Sequence, residues 1–354
     1  MSDRPGIIAE PEDITPPWLT AVLRHGGVEA DVRSFVAKDI GTGQVGRSVR
    51  FTLDYSRGAG PASIVGKFAS TDPTSRATGI AQQNYFKEVN FYNELLPTVQ
   101  IRTPKPFYTD IDPATHAFCL MLEDITPSRQ GDQIQGDTVE MAQLALREAA
   151  KLHAPRWNDP TLNEVTFIQP NAALGPEFFK SFWAQMYPGF IARYQARMSK
   201  ENLELLSAFS QRLDGWLTRA ETPFALTHCD FRLDNLLFGE NVPIAVVDWQ
   251  TVAIGHPLAD ISYFLGAGLV PQARRVHERL LVWQYHEAIC EAGVSGYGFE
   301  DCYRDYRRFS FSGLVMAVIA SMLVGQTARG DEMFMAMANR HAQQATELDS
   351  LDLL

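Results

Sequence analysis

The 354-residue sequence predicts an α+β protein with two lobes, a small β-rich N-terminal lobe (residues 1–122) and a larger, mostly helical C-terminal lobe (residues 123–354). The first third of the chain contains short runs of β-branched and aromatic residues that are separated by turn residues. From residue 137 onward, apolar residues recur at helical spacing instead. The length is about twice the most common domain size, which allows two lobes with separate cores.

The composition excludes several classes of protein. Apolar residues make up 45% of the chain and charged residues 21%, which is enough apolar material for a sizeable core. The formal net charge of −11 argues against nucleic acid or a membrane surface as a partner, because both attract basic proteins. The four cysteines form no CxxC pair, so a disulfide scaffold is not expected. Residues 1–14 lack the apolar segment of a secretory signal, which favours a cytoplasmic protein.

The N-terminal lobe is predicted to begin with a short helix over residues 16–24, which Thr15 caps and proline residues start. A second helix is expected over residues 81–96, ended by Pro97. The predicted strands lie at residues 32–40, 47–55, 62–69, 106–108 and 116–122. A turn at residues 110–113 joins the last two strands.

The C-terminal lobe is predicted to be helical apart from a strand-like island at residues 225–247. The predicted helices lie at residues 139–153, 178–198, 202–220, 273–292, 303–327 and 332–348. Twenty uncharged residues between Arg308 and Arg329 are long enough to span a bilayer. Because they include serine, glycine and glutamine, we predict a buried central helix there instead.

A glycine motif follows the first predicted strand, in the order Gly41-Thr-Gly43-Gln-Val-Gly46. A dinucleotide-binding fingerprint needs a strand before the glycines and a helix after them. Here a strand is predicted on both sides, so the glycines lie on a hairpin. The backbone N–H groups of such a hairpin can cover phosphate groups. The alternative is a plain glycine-rich turn.

One lysine, Lys67, lies inside the apolar run that forms the third predicted strand. Burying an ammonium group is costly unless an opposite charge pairs with it. The following helix offers two candidate carboxylates, Glu88 and Glu94. A Lys–Glu pair would orient the phosphates of a nucleotide. The alternative is an edge-strand lysine whose amine remains in water.

The densest polar cluster lies between two apolar strands of the island. His228, Asp230 and Asn235 are on the loop between these strands, and Asp248 follows the second strand. Phosphoryl transfer needs a carboxylate to accept the proton of the attacking hydroxyl, and oxygen ligands for Mg²⁺. Asp230 suits the first task, and Asn235 and Asp248 suit the second. Turn-forming residues would explain any one of these positions, but not their density.

The motif His228-Cys-Asp230-x4-Asn235, followed by Val-Val-Asp248-Trp, resembles the signature of the aminoglycoside phosphotransferase and choline kinase superfamily, which has a protein-kinase-like fold. The closer likeness is to a broad group of small-molecule phosphotransferases related to ecdysteroid kinases. Supporting segments occur in the expected order, and they are residues 87–92, 120–124, 151–154 and 255–260. The resemblance spans nearly the whole chain and implies a bilobal protein-kinase-like fold.

The resemblance also implies roles for the residues of the C-terminal motif. Asp230, in a loop that also carries His228, resembles the catalytic base, while Asn235 and Asp248 resemble the magnesium ligands. Asp260 resembles the carboxylate that braces the catalytic loop. One departure is Cys229, which stands where many relatives have glycine.

For the N-terminal lobe, the resemblance implies an ATP site. Lys67 resembles the phosphate-binding lysine and Glu88 its partner, with Glu94 a less favoured substitute. The remaining implied cofactor-binding residues are those of the hairpin and of a hinge whose backbone holds adenine, namely Gly41, Gly43, Gly46, Leu122, Glu123 and Asp124. The hairpin lacks the Ser-Asn pair that is common in aminoglycoside enzymes.

These observations predict an ATP- and Mg²⁺-dependent phosphotransferase that moves the γ-phosphate to a hydroxyl group of a small molecule, as a monomer or homodimer. One alternative is an aminoglycoside or choline-type kinase with a cationic substrate, and another is a non-catalytic nucleotide-binding protein of the same fold. Retention of the lysine, the base and the metal ligands favours the enzyme. A hydrolase that uses Asp110 and Asp112 is disfavoured, because a proline follows them in a predicted turn. The choice between ATP and GTP stays open.

The acceptor is predicted from the helix after the hinge. Residues 178–194 contain seven aromatic side chains, no Asp and no Glu. They are Phe178, Phe179, Phe182, Trp183, Tyr187, Phe190 and Tyr194. A polycationic acceptor would need carboxylates, so we expect an uncharged or weakly charged, partly apolar hydroxyl compound. The alternatives are a core helix with no acceptor role and, from the −11 net charge, a cationic ligand.

Overall fold

The computed structural model describes residues 4–41, 46–169, 175–218 and 223–354. Within these ranges the chain forms two compact units. The first unit contains residues up to Thr98, residues 102–128 and residues 239–252, and the second contains residues 99–101, 129–238 and 253–354. A short segment late in the sequence, residues 239–252, therefore belongs to the unit that is built mainly from the start of the chain.

The described part of the first unit contains a five-stranded antiparallel sheet in the order β1-β2-β3-β5-β4. The strands are β1 (Asp31–Ile40), β2 (Gly46–Arg57), β3 (Ser63–Ala69), β4 (Pro106–Ile111) and β5 (Phe118–Glu123). The first three lie close to their predicted positions because alternation and turn residues mark their ends. The predicted turn at 110–113 is displaced, since β4 continues through Ile111 and Asp112 accepts hydrogen bonds from Ala114 N and Thr115 Oγ1.

Short helices complete the described first unit, and they are α1 (Pro16–His25), α2 (Pro73–Ala81), α3 (Asn84–Asn90) and a π-helical turn at Phe91–Leu95. Thr15 caps α1 as predicted, with its hydroxyl accepting from Trp18 N at 3.4 Å. The single helix predicted over 81–96 is wrong in its start. Asp72 caps a separate helix, α2, which ends at Ala81, and Gln83, with φ of 59°, separates α2 from α3. A residue in the left-handed region cannot continue an α-helix.

The two faces of the sheet have different surroundings. Alternate residues of β2, Val49, Phe51 and Leu53, are buried in a core that also contains α1. Side chains alternate along a strand, so Ser48 and Arg50 point to the opposite face. Lys67 of β3 pairs directly with Ser48, and its side chain therefore also lies on that opposite face. The polar face of the sheet thus carries the lysine that the sequence singled out.

The second unit is mostly helical in its described part. Its helices are α4 (Val139–His153), α5 (Pro176–Tyr194), α6 (Lys200–Gln211), α7 (Leu213–Leu217), α8 (Pro257–Gly268), α9 (Pro271–Glu291), α10 (Phe299–Arg308), α11 (Phe311–Leu323) and α12 (Ala328–Glu347). The short strands that follow β5 along the chain are β6 (Ser128–Gln130), β7 (Ala225–Thr227), β8 (Leu236–Gly239), β9 (Ala245–Val246) and β10 (Ala253–Gly255). Of these, β9 lies in the segment 239–252 that belongs to the first unit. Strands β7 and β10 pair antiparallel.

Three helix predictions in this unit need correction. In the described residues, the helix expected over 202–220 is two helices, α6 and α7, which are separated at Arg212. Helix α8 was not predicted as a helix, although Pro257 stands at its first position and the His256 ring caps Leu258 N at 3.2 Å. The helix expected over 303–327 is two helices, α10 and α11, which are separated at Phe309 and Ser310.

The uncharged stretch between Arg308 and Arg329 forms α11, whose residues Phe311, Leu314 and Val318 are buried in the core of the second unit. This confirms the buried helix that was predicted there. Across the described ranges, no helix combines the length and the apolar character that a membrane crossing requires. The cytoplasmic location and the oligomeric state stay predictions.

Candidate active site

The first unit brings three charged side chains together on the polar face of its sheet. Lys67 Nζ lies 2.5 Å from Glu88 Oε1 and 3.1 Å from Asp248 Oδ1. Strand β3 lies between β2 and β5, so the edge-strand alternative for Lys67 does not apply. The other candidate partner, Glu94, is exposed.

Burial and charge act in opposite directions on this cluster. Burial disfavours the ammonium of Lys67, but the carboxylates of Asp248 and Glu88 outweigh it, so the pKa of Lys67 lies above its usual range. Burial also raises the pKa of Glu88, and the nearby Asp248 adds to this effect, while Lys67 opposes it. Glu88 is buried, while Lys67 and Asp248 are partly buried, so the Glu88 carboxylate depends on the ammonium of Lys67 to offset the cost of its burial.

Asp248 is held in place by the residue that follows it. Its own backbone is in the left-handed region, with φ of 69°, which is uncommon outside glycine. The indole of Trp249 stacks on the ring of Phe91, with centroids 3.7 Å apart and planes 6° from parallel. Trp249 Nε1 also donates to Thr103 Oγ1 at 3.0 Å. These contacts fix residues 239–252 to the first unit and place the Asp248 carboxylate beside Lys67.

The glycine hairpin is described at its two ends. Gly41 has φ of 76°, a conformation that suits glycine, and Gly46 begins β2. Gly43 lies outside the described residues. An open groove of about 540 Å³ adjoins the hairpin. Its lining includes Gly41, Gly46 and Ser48, and also Arg47 with its ion-pair partners Glu12 and Asp39.

Two of the three side chains of the predicted hinge, those of Glu123 and Asp124, form ion pairs. Leu122 is buried and pairs with Val65 across the sheet. The Glu123 carboxylate accepts from Arg102 at 2.7 Å and 2.9 Å. The backbone N–H of Glu123 donates to the Lys105 carbonyl.

Asp124 makes an analogous contact with the neighbouring strands. The two oxygens of Asp124 accept from the guanidinium of Arg50 at 2.6 Å and 2.9 Å, and Ser63 donates to the same carboxylate at 2.6 Å. The carboxylates of the hinge thus fasten it to strands of the sheet, and a nucleotide-binding role of its backbone stays a prediction.

In the second unit, Asp260 of α8 holds the backbone of the loop that carries His228, Asp230 and Asn235. Its carboxylate accepts from His228 N at 2.7 Å and from Cys229 N at 3.0 Å. His153 Nε2 lies 3.3 Å from the same carboxylate. Cys229 has φ of 64°, a backbone conformation that favours glycine. His228 itself is buried, and its Nδ1 accepts from Asp230 N at 3.3 Å.

The carboxylate of Asp230 is surrounded by hydrogen-bond donors. Tyr263 Oη donates to Oδ1 at 2.9 Å, and Asn235 Nδ2 donates to Oδ2 at 2.8 Å. Arg232 Nε lies 3.0 Å and 3.2 Å from the two oxygens. Asn235 Nδ2 also donates to the Asp230 carbonyl at 2.9 Å, which fixes the orientation of the amide. The carbonyl oxygen of Asn235 is therefore directed away from the base.

Two residues of this arrangement were not foreseen, Arg232 and Tyr263. Arg232 lies within the quoted motif, and its guanidinium also pairs with Asp234 at 2.6 Å. Tyr263 follows Asp260 by three residues, so both lie on one face of α8. That spacing was visible in the sequence, but the location of Asp230 against the same face was not.

An antiparallel sheet with a paired lysine, together with a helical unit that presents an Asp-x4-Asn loop, defines a phosphotransferase of the protein-kinase-like fold. A family model described as "Phosphotransferase enzyme family" matches residues 66–295, well over half of the chain. The chain belongs to this family. The predicted fold class, superfamily and enzyme class, a small-molecule phosphotransferase, are thereby confirmed, whereas the closer link to ecdysteroid kinases stays a prediction.

Solved structures share this fold at low sequence identity. Choline kinase from Cryptosporidium parvum Iowa II has a TM-score of 0.56 and 13% identity, over 90% of this chain and 91% of that chain. The GDP complex of wild-type aminoglycoside 2'-phosphotransferase-IIIa has a TM-score of 0.52 and 14% identity, over 93% of this chain and 99% of that chain.

A curated relative matches a shorter stretch at higher identity. Acyl-CoA dehydrogenase family member 11 of Homo sapiens is 43% identical over 60 residues. This stretch is 15% of this chain and 8% of that protein, so the chain spans a small part of the length of the curated relatives that it matches.

Proposed function

We propose that this phosphotransferase transfers the γ-phosphate of ATP to a hydroxyl group of a small molecule and requires Mg²⁺. The observation that carries the proposal is Lys67, which is held between Glu88 and Asp248 on the sheet face. A partly buried ion triad of this kind adds little to stability compared with apolar residues, which favours a functional reason for it. A lysine oriented by a carboxylate is suited to bind nucleotide phosphates. The GDP-bound fold neighbour also supports a nucleotide site.

The proposed magnesium ligands, Asp248 and Asn235, fit this ion by their chemistry. Carboxylate and amide oxygens are the hard ligands that Mg²⁺ prefers. The amide nitrogen of Asn235 donates to Asp230, which leaves the amide oxygen as the polar atom for a cation. When bound, Mg²⁺ would neutralise negative charge that develops on the phosphates.

The proposed base is Asp230, which accepts the proton of the attacking hydroxyl. The donors from Tyr263, Asn235 and Arg232 make four contacts with the two carboxylate oxygens, because Arg232 Nε is shared between them. These donors hold the Asp230 carboxylate in one orientation. Asp260 supports the same loop by holding the N–H groups that precede the base.

Replacement of Asp248 by alanine tests the magnesium assignment. We expect wild-type ATP binding to tighten about tenfold or more with Mg²⁺, and Asp248→Ala to remove most of this dependence, as is typical when a metal site loses a ligand or its support. Titration calorimetry with and without Mg²⁺ measures it. Asp54→Ala, an exposed position on β2, is the control. Wild-type ATP binding that ignores Mg²⁺ would contradict the assignment.

The proposed acceptor is an uncharged or weakly charged, partly apolar hydroxyl compound, and the support is the composition of α5. Trp183, Phe190 and Tyr194 are buried in the core of the second unit, which is the role that the core-helix alternative gave them. Phe178 is 45% exposed and stacks on Phe182. The exposed end of the aromatic series is therefore the part available to an apolar ligand.

A screen of acceptors tests this part of the proposal. We expect Mg²⁺-dependent ADP release from ATP to rise with apolar or sterol-like alcohols and to remain at background with kanamycin and choline. The background is defined by the Asp230→Ala variant under the same conditions. Efficient phosphorylation of kanamycin or choline, with no turnover of apolar alcohols, would instead establish the cationic-substrate alternative.

A further inference from the structure

We propose that Tyr263 is a positioning residue for the phosphoryl transfer, and that its hydroxyl fixes the plane of the Asp230 carboxylate. The inference rests on the proposed function, in which Asp230 is the base. It concerns a residue that lies 33 positions after the base in the sequence and belongs to helix α8.

The contact is specific for one oxygen of the base. Tyr263 Oη donates to Asp230 Oδ1 at 2.9 Å, while Asn235 Nδ2 donates to Oδ2 at 2.8 Å. Arg232 Nε is shared between the two oxygens, at 3.0 Å and 3.2 Å, so it attracts the carboxylate without selecting its rotation. The pair of directed donors, Tyr263 and Asn235, sets the rotation.

Helix α8 supports the catalytic loop at two points, one turn apart. Asp260 holds the backbone N–H groups of His228 and Cys229, just before the base. Tyr263 holds the side chain of the base itself. Because both residues lie on one rigid helix, the backbone and the carboxylate of Asp230 are located relative to the same frame.

The ring of Tyr263 is itself held rigidly. It is buried and stacks on the ring of His341, with centroids 5.8 Å apart. A Cβ atom at Gly266 or Gly313 would lie about 2 Å from the His341 ring. Helices α8 and α11 therefore pack closely against this ring at their glycine residues. The tyrosine therefore cannot turn its hydroxyl away without moving the packed core.

The hydroxyl also keeps its proton. Burial and the neighbouring Asp230 carboxylate raise the pKa of Tyr263 well above its usual value, with Arg232 opposing. Tyr263 consequently remains a donor throughout the range in which a carboxylate base works. A persistent donor that is aligned with one oxygen is what a positioning residue requires.

Removal of the hydroxyl in Tyr263→Phe is the test. ADP release from ATP is measured in the presence of Mg²⁺, first with water as the phosphate acceptor. The measurement is then repeated with any acceptor that the screen identifies. We expect kcat for ADP release to fall about 10- to 100-fold, because the base loses its alignment, while KM for ATP changes less than twofold. Tyr263→4-aminophenylalanine keeps a donor and is expected to restore part of kcat.

The matched control is Tyr306→Phe, a buried tyrosine of the same unit whose hydroxyl donates to Glu278 at 3.0 Å. It loses a comparable buried hydrogen bond, so a purely structural effect would lower kcat in both variants alike. A wild-type kcat in Tyr263→Phe would overturn the proposal. An equal loss in both variants, or a raised KM for ATP in Tyr263→Phe, would also overturn it.

A spectroscopic arm separates this inference from the proposed function. In protein labelled with ¹³Cζ-tyrosine, the Tyr263 resonance is assigned by its loss in Tyr263→Phe, and it is expected to shift in Asp230→Ala but not in Asp301→Ala, an exposed control. No shift would overturn the contact. The second outcome is a shift of the Tyr263 resonance together with wild-type ADP release no higher than that of Asp230→Ala. This outcome would support the contact between Tyr263 and Asp230, but it would refute the assignment of Asp230 as base and therefore the role of Tyr263 in catalysis.

Discussion

Asp230→Asn is expected to lower turnover about 10²- to 10⁴-fold while the affinity for ATP remains nearly unchanged. The amide has the shape of the carboxylate but cannot accept the proton of the attacking hydroxyl. It would also present an NH₂ group to a site in which Tyr263, Asn235 and Arg232 already donate. The measurements are single-turnover ADP release and titration calorimetry with ATP.

A control variant shows whether the loss is specific to the base. Asp301→Asn replaces a half-exposed carboxylate of α10 in the same unit and is expected to have wild-type turnover. Turnover in Asp230→Asn within a few-fold of the wild type would place the base elsewhere. A large loss of ATP affinity would mean that Asp230 supports nucleotide binding instead of proton transfer.

Lys67→Ala is expected to destabilise the protein by up to about 3–5 kcal/mol, because the buried carboxylate of Glu88 loses the cation that pairs with it, whereas Lys67 and Asp248 are only partly buried. Glu88 and Asp248 would then face each other without the ammonium that separates them. The loss of phosphate positioning should also raise KM for ATP and lower kcat. Urea denaturation measures the first effect and steady-state kinetics the second.

A double variant separates stability from catalysis at this position. Lys67→Met combined with Glu88→Gln removes both charges, and we expect it to recover part of the free energy of unfolding without recovering turnover. Lys105→Ala, at an exposed position of the same unit, controls for loss of a positive charge. A Lys67→Ala protein with wild-type stability and kinetics would contradict the proposed role of the ion triad formed by Lys67, Glu88 and Asp248.

The sequence by itself determined the features that depend on short stretches of chain. A run of β-branched and aromatic residues located β1, alternation located β2 and an apolar run located β3, while the Thr15 cap located the start of α1. The Asp-x4-Asn motif was equally readable, because the residues of one loop lie close together in the sequence. Periodicity and capping are local hydrogen-bonding and burial patterns, and a window of ten to twenty residues contains the information for them.

Only the tertiary structure decided which distant residues meet. Lys67 contacts carboxylates that lie 21 and 181 positions away in the chain, and Asp230 contacts Tyr263 of a later helix. Residues 239–252 join the first unit because Trp249 stacks on Phe91, a pairing that no local pattern indicates. Such contacts depend on how whole elements pack. Burial of apolar side chains stabilises any well-packed arrangement, so the geometry of the fold determines which particular residues become partners.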